Sequence, residues 1–599
     1  MKEQGSDRRL GITETAASQM EFHIFRDARH PTSAAALASR MGCELVRLAA
    51  GAQLDELVFL LLLAGELECA LADAAASQAD VAAAAHLTSL LAGAAMMCDP
   101  SLQKEDSLVI ARQAMTIPEQ IEFYGAVSIG APEGFAYYAL NPLDYADLME
   151  RLNLDAPHSM VIGVRSIGTT LSAVVLAKLR ELGIDAERMT VRPTGHPYNR
   201  VCEFDAEQRA AIACAQASAT EFIVCDEGPG RSGSSLLSVA EALETEGVRQ
   251  DRIVLLCSHE PNVNALCARD ASRRWMRYRS AAAGMTRRLP LDAQKYIGGG
   301  DWRRTLIAAG EPWPAVWPQM EPLQYVSSDG GTLLTFEGHG PYGAAVSERN
   351  AVLAEAGFGL DYLGRESGFG RHRLAAGRSA RLHDLTPETL SHMARYCAWR
   401  ADAFSVADSN PRDLESMAQC NFEREFGFAS EDLQLPVERA AICDNRMAPQ
   451  YWLIAAEGKW RKLDAAIHGD DHFFPGPCDI AWDLAAIVVE WELSLPQREF
   501  LLAEYRCASG NNGNERLQQY ELAYAVFRLA WSKMAAASVT GTEEEQRLLS
   551  DYRRYRGWVQ RQRWFARNRL CLKGEEAVIA RDLRRAFKIV PPESAASSP

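Results

Sequence analysis

Hydrophobic positions recur with two different periods along this chain of 599 residues, and the period changes near residue 120. In the first hundred residues, Leu54, Leu57 and Leu61 follow helical spacing within a segment rich in Ala and Leu. Beyond residue 120, short apolar runs end in glycine loops that lead into amphipathic stretches, as in 160–184 and 219–248. Strands that alternate with helices in this way predict an α/β fold with a parallel, helix-covered sheet.

The second half of the chain has a different pattern. Residues 323–343 predict a hairpin that turns at Asp329-Gly330-Gly331, and a helix is predicted at 346–357. The remainder is mostly helical, apart from a loop-rich island at 441–483. We therefore predict a helical N-terminal region (1–119), a parallel-sheet domain (120–290), a Gly-, Trp- and Pro-rich connection (291–322), a mainly helical domain (323–588) and a disordered tail (589–599).

Composition narrows the class of protein. The net charge of −16 does not suit a general nucleic-acid binder, although it leaves a local phosphate site open. The 14 cysteines show neither CxxC pairs nor zinc-site spacing, and we find no signal-peptide pattern, so we expect reduced thiols and a cytoplasmic protein. The apolar core at 58–65 is shorter than a membrane span, so we predict a buried helix there and no membrane partner.

The segment FIVCDEGPGRSGSSL, residues 222–236, places two adjacent acids between an apolar strand and a Gly/Ser loop. Backbone amides of such a loop, leading into a helix, form an anion site. Asp226 and Glu227 would repel that anion unless they hold something else, and a ribose diol or a bridging Mg²⁺ meets that need. The plain alternative is a strand–helix turn with solvated acids.

This segment resembles the signature with which type I phosphoribosyltransferases bind phosphoribosyl diphosphate (PRPP), although the loop here is one residue longer. PEGFAYYALNP (132–142) and TVRPTGHPYNR (190–200) resemble a bacterial subgroup found with tellurite-resistance-type gene clusters and thought to make nucleoside-like compounds; the resemblance spans about 120–265. The resemblance implies a PRPP-binding set made of Ser166, Gly168, Thr169, Gly230, Ser232, Gly233, Ser234 and Ser235.

By this resemblance, diphosphate leaves C1 of the ribose while Mg²⁺ and Arg165 neutralise it, with Asp226 and Glu227 as the central catalytic acids. The direction of transfer stays open. Further loop or acceptor contacts are less specific, because a lone histidine such as His196 is more often structural than a base, and Phe135 is at least as compatible with the core as with an acceptor contact. These contacts are Glu133, Phe135, Arg192, His196 and Arg200.

The island at 441–483 carries a second pattern. Asp444 and Asp464 stand twenty residues apart, and Glu457-Gly458 is predicted to turn the apolar runs between them into a hairpin. One acid before a hairpin and one after it is the layout of a phosphotransferase, in which the first orients the attacking hydroxyl and the second holds Mg²⁺ on a nucleotide.

The ending DIAWDLA, residues 479–485, resembles aminoglycoside-phosphotransferase-like small-molecule kinases, which are two-lobed and use ATP. The resemblance implies Asp444 as the catalytic acid, with Asp464 and Gln450 at the metal. A rival alignment through HGDDH (468–472) makes Asp470 catalytic and Asp479 the metal acid; a metal site from 470–472 is a third hypothesis.

The nucleotide-binding lysine of such kinases has no counterpart in the sequence, because Thr335 stands where a basic residue is expected. Glu348, on the helix that follows, is the less certain candidate to pair with that lysine. Arg303 or Arg304 is a possible substitute.

Two runs mix Arg with aromatic residues, 273–279 and 552–569. Such runs can bind single-stranded nucleic acid, but helices with a basic outer face and inward aromatics explain them more simply. The sequence as a whole predicts a bifunctional enzyme using Mg²⁺, PRPP and ATP on a small, nucleoside-like molecule, with oligomerisation open. The alternatives are a ligand sensor without turnover and an RNA-modifying enzyme.

Overall fold

The computed structural model describes most of the chain between residues 29 and 572. Asp470 and the proposed metal site at 470–472 lie outside the described residues, as does the tail at 589–599. The described ranges are 29–48, 54–97, 112–123, 125–130, 132–152, 156–196, 198–230, 232–284, 289–407, 411–427, 433–467 and 476–572, together with Phe22, Val109, Leu154 and Ser409.

The N-terminal region is mainly helical. It contains β1 (Arg29–Ser33), α1 (Ala34–Leu48), α2 (Leu54–Asp73) and α3 (Gln78–Met97). The apolar run that begins α2 is buried, as expected for a core helix. Among the described helices, only α3 has the length and composition to cross a membrane; it packs against α2, and core helices pass the same test.

A parallel sheet forms the centre of the first half. Its order is β4-β3-β7-β8-β9, so the predicted parallel sheet is present. The elements of this part are β2 (Ala126–Gly130), α4 (Glu133–Ala136), α5 (Asp144–Arg151), β3 (His158–Val164), α6 (Ile167–Glu181), β4 (Asp185–Val191), β5 (Thr194–His196), β6 (Asn199–Val201), α7 (Ala206–Gln216), β7 (Thr220–Cys225), α8 (Ser234–Thr245), β8 (Ile253–Cys257), α9 (Ala271–Trp275) and β9 (Arg279–Ala282).

The strand order reverses between β3 and β7. The chain leaves β3 through α6 toward β4 on one side, and leaves β7 through α8 toward β8 on the other. Val161 packs in one core with α6, whereas Ile162 packs in another with α8, so the two helices cover opposite faces of the sheet. A crevice opens at such a switch point beyond the carboxyl ends of the strands, where ligands bind in open α/β sheets.

An antiparallel sheet follows, in the order β10-β11-β12-β14-β13. It differs from the sequence prediction in two places. The segment 291–322, predicted as a connection, supplies β10, and the helix predicted at 346–357 begins six residues earlier, with Gly340 and Pro341 in its first turn. The elements are β10 (Ala293–Tyr296), α10 (Arg303–Leu306), β11 (Gln324–Ser327), β12 (Thr332–Phe336), α11 (Gly340–Glu355), β13 (Tyr362–Glu366) and β14 (Phe369–Arg373).

The rest of the chain is a helical unit with small sheets. The predicted hairpin of the island is present as β17 and β18, which turn at Gly458 with φ of +80°. The elements are β15 (Gly377–Ser379), α12 (Pro387–Ala403), α13 (Pro411–Phe426), β16 (Ala440–Ala441), β17 (Trp452–Ala455), β18 (Trp460–Lys462), β19 (Cys478–Asp479), α14 (Ala481–Glu490), α15 (Leu495–Ser509), α16 (Asn514–Ser538) and α17 (Glu543–Leu572).

The short helix α4 joins the two halves. Its Phe135 carbonyl accepts a hydrogen bond from the His339 amide at 2.9 Å, just before α11. Ala139 packs with Leu334 and Phe336 of β12. The first half of the chain therefore contacts the antiparallel sheet directly, on the face that carries Leu334 and Phe336.

Candidate functional site

The two adjacent acids lie at the carboxyl end of β7, at the switch point. Asp226 Oδ1 accepts the Glu227 amide at 2.8 Å, and the Tyr145 hydroxyl donates to the Asp226 carbonyl at 2.5 Å. Both side chains are half-buried. Burial raises the pKa of Asp226 to about 7, and burial together with the charges of Glu133 and Asp226 raises the pKa of Glu227 to about 8. Two such carboxyls favour a cation or hydroxyl donors between them.

The β3–α6 loop stands beside these acids. Gly163 and Gly168 allow the start of α6 to approach the sheet, because a Cβ at Gly168 would stand 2.4 Å from the Cys225 carbonyl oxygen. Ser166 has φ of +104°, a strained conformation that costs about 1–3 kcal/mol outside glycine. Thr169 is fully buried, and its carbonyl accepts hydrogen bonds from Arg188 and Ser172, so this structure does not present Thr169 at the surface of the loop.

The β7–α8 loop brings the predicted serines together. Gly230 and Gly233 have left-handed φ values of +53° and +72°. Ser232 Oγ lies 3.0 Å from Ser234 Oγ and accepts the Ser234 amide at 3.2 Å. Both of these serines are buried, and Ser235 in the first turn of α8 is half-buried. This loop and the β3–α6 loop each lead into a helix N-terminus at the switch point, an arrangement that favours anions.

The less specific candidates are distributed unevenly. Glu133 is exposed but close enough to act electrostatically on Glu227, whereas Phe135 is buried in the core. His196 and Arg200 belong to the β5–β6 hairpin, which packs beside α8; the His196 ring accepts the Tyr198 amide and Arg200 donates to the Gly195 carbonyl. The hairpin bonds are local, and the structure does not join these two side chains to the acids.

Arg165 and Arg192 are held together by α2, a contact that the sequence did not predict. Arg192 donates to Asp73 Oδ1 at 3.1 Å, and Arg165 donates to the same oxygen at 3.4 Å. Arg192 also donates to the Arg165 carbonyl at 3.0 Å. Arg192 thus supports the β3–α6 loop from the side of α2, and its role as a loop or acceptor contact stays a prediction.

His259 follows β8 and lies near the site, although the sequence patterns did not identify it as a candidate. Its ring Nδ1 lies 3.0 Å from Ser258 Oγ, and a Cβ at Gly228 would stand 3.0 Å from the ring. Burial lowers the pKa of His259. The only sequence signal for it is that the apolar run 251–257 ends in polar residues, as the runs before the two loops do.

A second cleft lies between the antiparallel sheet and the β17–β18 hairpin, with a volume of about 650 Å³ when the adjoining open solvent is included. Asp464 and Gln450 both line it, as predicted metal-side residues would, together with Arg446 and Glu321. Its apolar lining consists of Ile297, Trp302, Leu306, Pro322, Leu333, Leu374, Leu453 and Leu463. A cleft with one apolar wall and a few charged groups suits a small organic ligand.

Asp464 follows the hairpin directly and has a left-handed φ of +52°. Gln324 donates to its two oxygens at 3.1 and 3.2 Å, and burial raises the pKa of Asp464. A carboxylate in this position is able to hold a cation.

Asp444 is buried, with no exposed surface. Lys462 Nζ lies 3.2 Å from its Oδ1, and the Tyr396 hydroxyl donates to its Oδ2 at 2.5 Å. Burial lowers the pKa of Lys462. A substrate hydroxyl therefore reaches Asp444 only if Lys462 or Tyr396 moves.

The two acids of DIAWDLA have separate roles. Asp483 accepts the backbone amides of Asp444 and Asn445 at 2.8 and 2.9 Å, so it fixes the loop that carries the predicted catalytic acid. Asp479 accepts Arg516 Nε at 2.9 Å and is fully buried. It also accepts the backbone amides of Glu438, Arg439 and Ala481. These bonds give Asp479 a structural environment, while its role as the metal acid of the rival alignment stays a prediction.

No protein-family model and no curated protein match the chain. Three similar solved structures are choline kinase LicA from Streptococcus pneumoniae (13% identity, 40% of this chain and 89% of that chain, TM-score 0.29), a choline/ethanolamine kinase family protein from Mesorhizobium loti (15%, 40% and 87%, 0.29) and macrolide 2'-phosphotransferase MphH from Brachybacterium faecium (14%, 39% and 88%, 0.29).

With TM-scores below 0.5, these likenesses leave the function of each cleft to its own residues. Because no family model and no curated protein matches, the resemblance of residues 120–265 to the phosphoribosyltransferases stays a hypothesis.

The remaining kinase candidates have other environments. Glu348 is exposed on α11, away from the cleft, and the buried acid near that helix is Glu337, which accepts Asn350 at 2.6 Å. Arg303 pairs with Glu544 at 2.9 Å and Arg304 with Asp301 at 3.2 Å, and their substitution for a nucleotide-binding lysine stays a hypothesis.

Most of the arginines in the first basic run form ion pairs. Arg274, Arg277 and Arg279 contact Glu241, Glu244 and Glu221. In the second run, Tyr555 is buried. Both features match the simpler interpretation of inward aromatics beneath a basic face. Among the described residues, no group of three or more His, Cys, Asp and Glu side chains is arranged to hold a metal by itself.

Proposed function

We propose that the switch-point site binds a phosphorylated ribose and that the protein is a PRPP-dependent transferase. The observation that supports this most directly is the placement of Asp226 and Glu227 between two loops that each open into a helix N-terminus. Acids suit ribose hydroxyls or a cation, and helix N-termini suit phosphates. One ligand that carries both groups accounts for the whole site.

The residues present fit Mg²⁺, because Asp226 and Glu227 are adjacent at the carboxyl end of β7 and offer carboxylate oxygens, the donors that Mg²⁺ prefers. When bound, the metal would supply positive charge for the departing diphosphate. The chain itself would hold the ribose through Asp226 and Glu227, the 5′-phosphate through the loop from Gly230 to Ser235, and the diphosphate through the backbone of 165–168.

A turnover assay tests this proposal. Purified protein is incubated with PRPP, Mg²⁺ and a panel of nucleobases, and released diphosphate is measured for the wild type and for the Asp226→Asn/Glu227→Gln variant. We expect release with at least one base in the wild type and at least a hundredfold less in the variant, since charge-assisted contacts are lost. PRPP binding without release for any base would instead favour a sensor.

We propose a second activity for the cleft beside the hairpin, because Asp464 and Gln450 line it, and Asp444, which does not line it, pairs with Lys462 at the end of the same hairpin. We propose that this cleft binds a nucleotide with its metal at Asp464 and Gln450, and that phosphate transfer requires release of Asp444 from Lys462. Calorimetric titration of ATP, with and without Mg²⁺, tests nucleotide binding in this cleft. Loss of the Mg²⁺-dependent gain in ATP affinity in Asp464→Asn would support the proposed metal position, and an unchanged affinity would contradict it.

A further inference from the structure

Helix α2 of the N-terminal region applies one face to the β3–α6 loop. Gly65, Glu68, Cys69 and Asp73 lie on that face at helical spacing. A Cβ at Gly65 would stand 2.0 Å from Thr170 Oγ1, so the helix approaches α6 as closely as its backbone allows. The contact is therefore built into the fold.

Buried charges fix the angle of this contact. Glu68 accepts both of its bonds from Arg188 Nη2, at 2.6 and 2.7 Å, and both side chains are almost fully buried. Arg188 in turn donates to the Thr169 carbonyl at 3.0 Å. The first turn of α6 is thus bonded to α2 through one arginine.

The end of α2 then supports the loop itself. Asp73 receives Arg192 and Arg165, and Arg192 Nη1 donates to the Arg165 carbonyl at 3.0 Å. Cys69 Sγ accepts Arg192 Nη2 at 3.1 Å and the backbone amide of Ser166. Ser166 has the strained φ of +104°, a conformation that persists only when its surroundings fix it.

We infer that Asp73 is a positioning residue for diphosphate binding, and that the N-terminal helical region is part of the transferase site. This inference rests on the proposed function. Asp73 does not touch the ligand; it holds Arg192, which holds the Arg165 carbonyl, so that the 165–168 backbone keeps its anion-binding shape. Positioning partners one contact away from a ligand commonly change affinity by about 10- to 100-fold when removed.

The test is calorimetric titration of Mg²⁺–pyrophosphate and of Mg²⁺–PRPP into the full-length wild type and the Asp73→Asn variant. We expect the Kd for both to rise about tenfold in Asp73→Asn. Asp73→Glu, which keeps the charge, should recover part of the affinity. Asp251→Asn is the matched control, because Asp251 also pairs with an arginine but lies at the opposite, amino end of β8.

A second variant and a second measurement separate positioning from general stability. Arg192→Lys keeps the charge but loses the fork that joins Asp73 to the Arg165 carbonyl, so it should weaken pyrophosphate binding similarly even if Asp73→Asn does not fold. Cys69 labelling by iodoacetamide, followed by peptide mass spectrometry, should accelerate about tenfold in both variants and not in Asp251→Asn.

Two results overturn the inference by itself: wild-type binding with unchanged affinity in Asp73→Asn and Arg192→Lys, or tighter binding in Asp73→Asn, which would make Asp73 a competing counter-ion. Absence of pyrophosphate and PRPP binding in the wild type overturns the proposed function, and this inference with it.

Discussion

The Cα of Gly134 faces the Glu227 carboxyl so closely that a methyl group there would stand 2.8 Å from the Glu227 carboxyl carbon. Helix α4 therefore forms one wall of the acid site, and the same helix contacts the antiparallel sheet through Phe135. The Glu227 carboxyl can take this position because Gly134, which it faces, has no side chain.

Gly134→Ala should displace Glu227 and weaken Mg²⁺–PRPP binding about tenfold, because small misplacements of site groups are costly. The free energy of unfolding should fall by about 1–2 kcal/mol at most, since a flexible side chain can yield. Calorimetry and denaturant unfolding measure the two effects. Gly42→Ala is the control, because a Cβ at Gly42 meets nothing within 4 Å; equal binding in both variants would refute the packing argument.

The acid pair also predicts opposite pH trends for stability and binding. Folding raises the pKa of Asp226 to about 7 and of Glu227 to about 8, so the folded chain binds more protons than the unfolded chain above about pH 4. Without ligand, this contribution to stability is lost as pH rises through 7 and 8. Binding of Mg²⁺–PRPP to the ionised acids should strengthen over the same range.

The measurements are thermal unfolding and calorimetry between pH 6 and 8.5. Each proton that must leave gives up to about a tenfold gain in affinity per pH unit. The Asp226→Asn/Glu227→Gln variant has neither titrating carboxyl, so its pH dependence of binding reports the titration of the ligand phosphates alone. If the unfolding temperature changed with pH equally in wild type and variant, these two acids would not be the cause of the pH-dependent stability.

The Asp444–Lys462 pair predicts strong energetic coupling. Lys462→Met leaves a buried carboxylate without its nearest cation, and should cost about 3–5 kcal/mol of unfolding free energy. The double variant Lys462→Met/Asp444→Asn should lose less unfolding free energy than the sum of the losses in the two single variants, because it no longer contains the unpaired charge. A double-mutant cycle by urea unfolding measures this, and additive costs would mean that the ion pair is not coupled.

Asp464 and Asp479 should respond differently to the same substitution. Asp464→Asn changes a side chain that lines the cleft, so Mg²⁺–ATP binding should weaken with stability nearly unchanged. Asp479→Asn breaks a buried bond to Arg516 and several backbone bonds, so unfolding free energy should fall by about 3 kcal/mol or more. Unfolding curves and nucleotide titrations of both variants compare them; the reverse assignment would favour the rival alignment.

The sequence predicted the parts of this fold that have local signals. The repeated pattern of apolar strand, glycine loop and helix predicted the parallel sheet and its two loops. Glu457-Gly458 predicted the hairpin before Asp464. These features depend on neighbours within a few residues, where periodicity and turn chemistry are informative.

Contacts between distant residues were beyond such signals. Asp73 and Arg192 are 119 residues apart in the chain, and the sequence around either residue contains no signal that predicts their contact. β10 has four residues and no clear alternation, so its segment looked like a connection. Burial of Asp444 beside Lys462 follows from how the hairpin packs, which spacing alone does not specify.

The most direct test of the central claim is calorimetric titration of PRPP with Mg²⁺ into the wild type, Asp226→Asn/Glu227→Gln and Asp251→Asn. The switch-point assignment predicts binding in the wild type and in Asp251→Asn, and a loss of about a hundredfold or more in the double variant. Equal binding in all three proteins, or none in the wild type, would contradict a phosphoribosyl site at the end of β7.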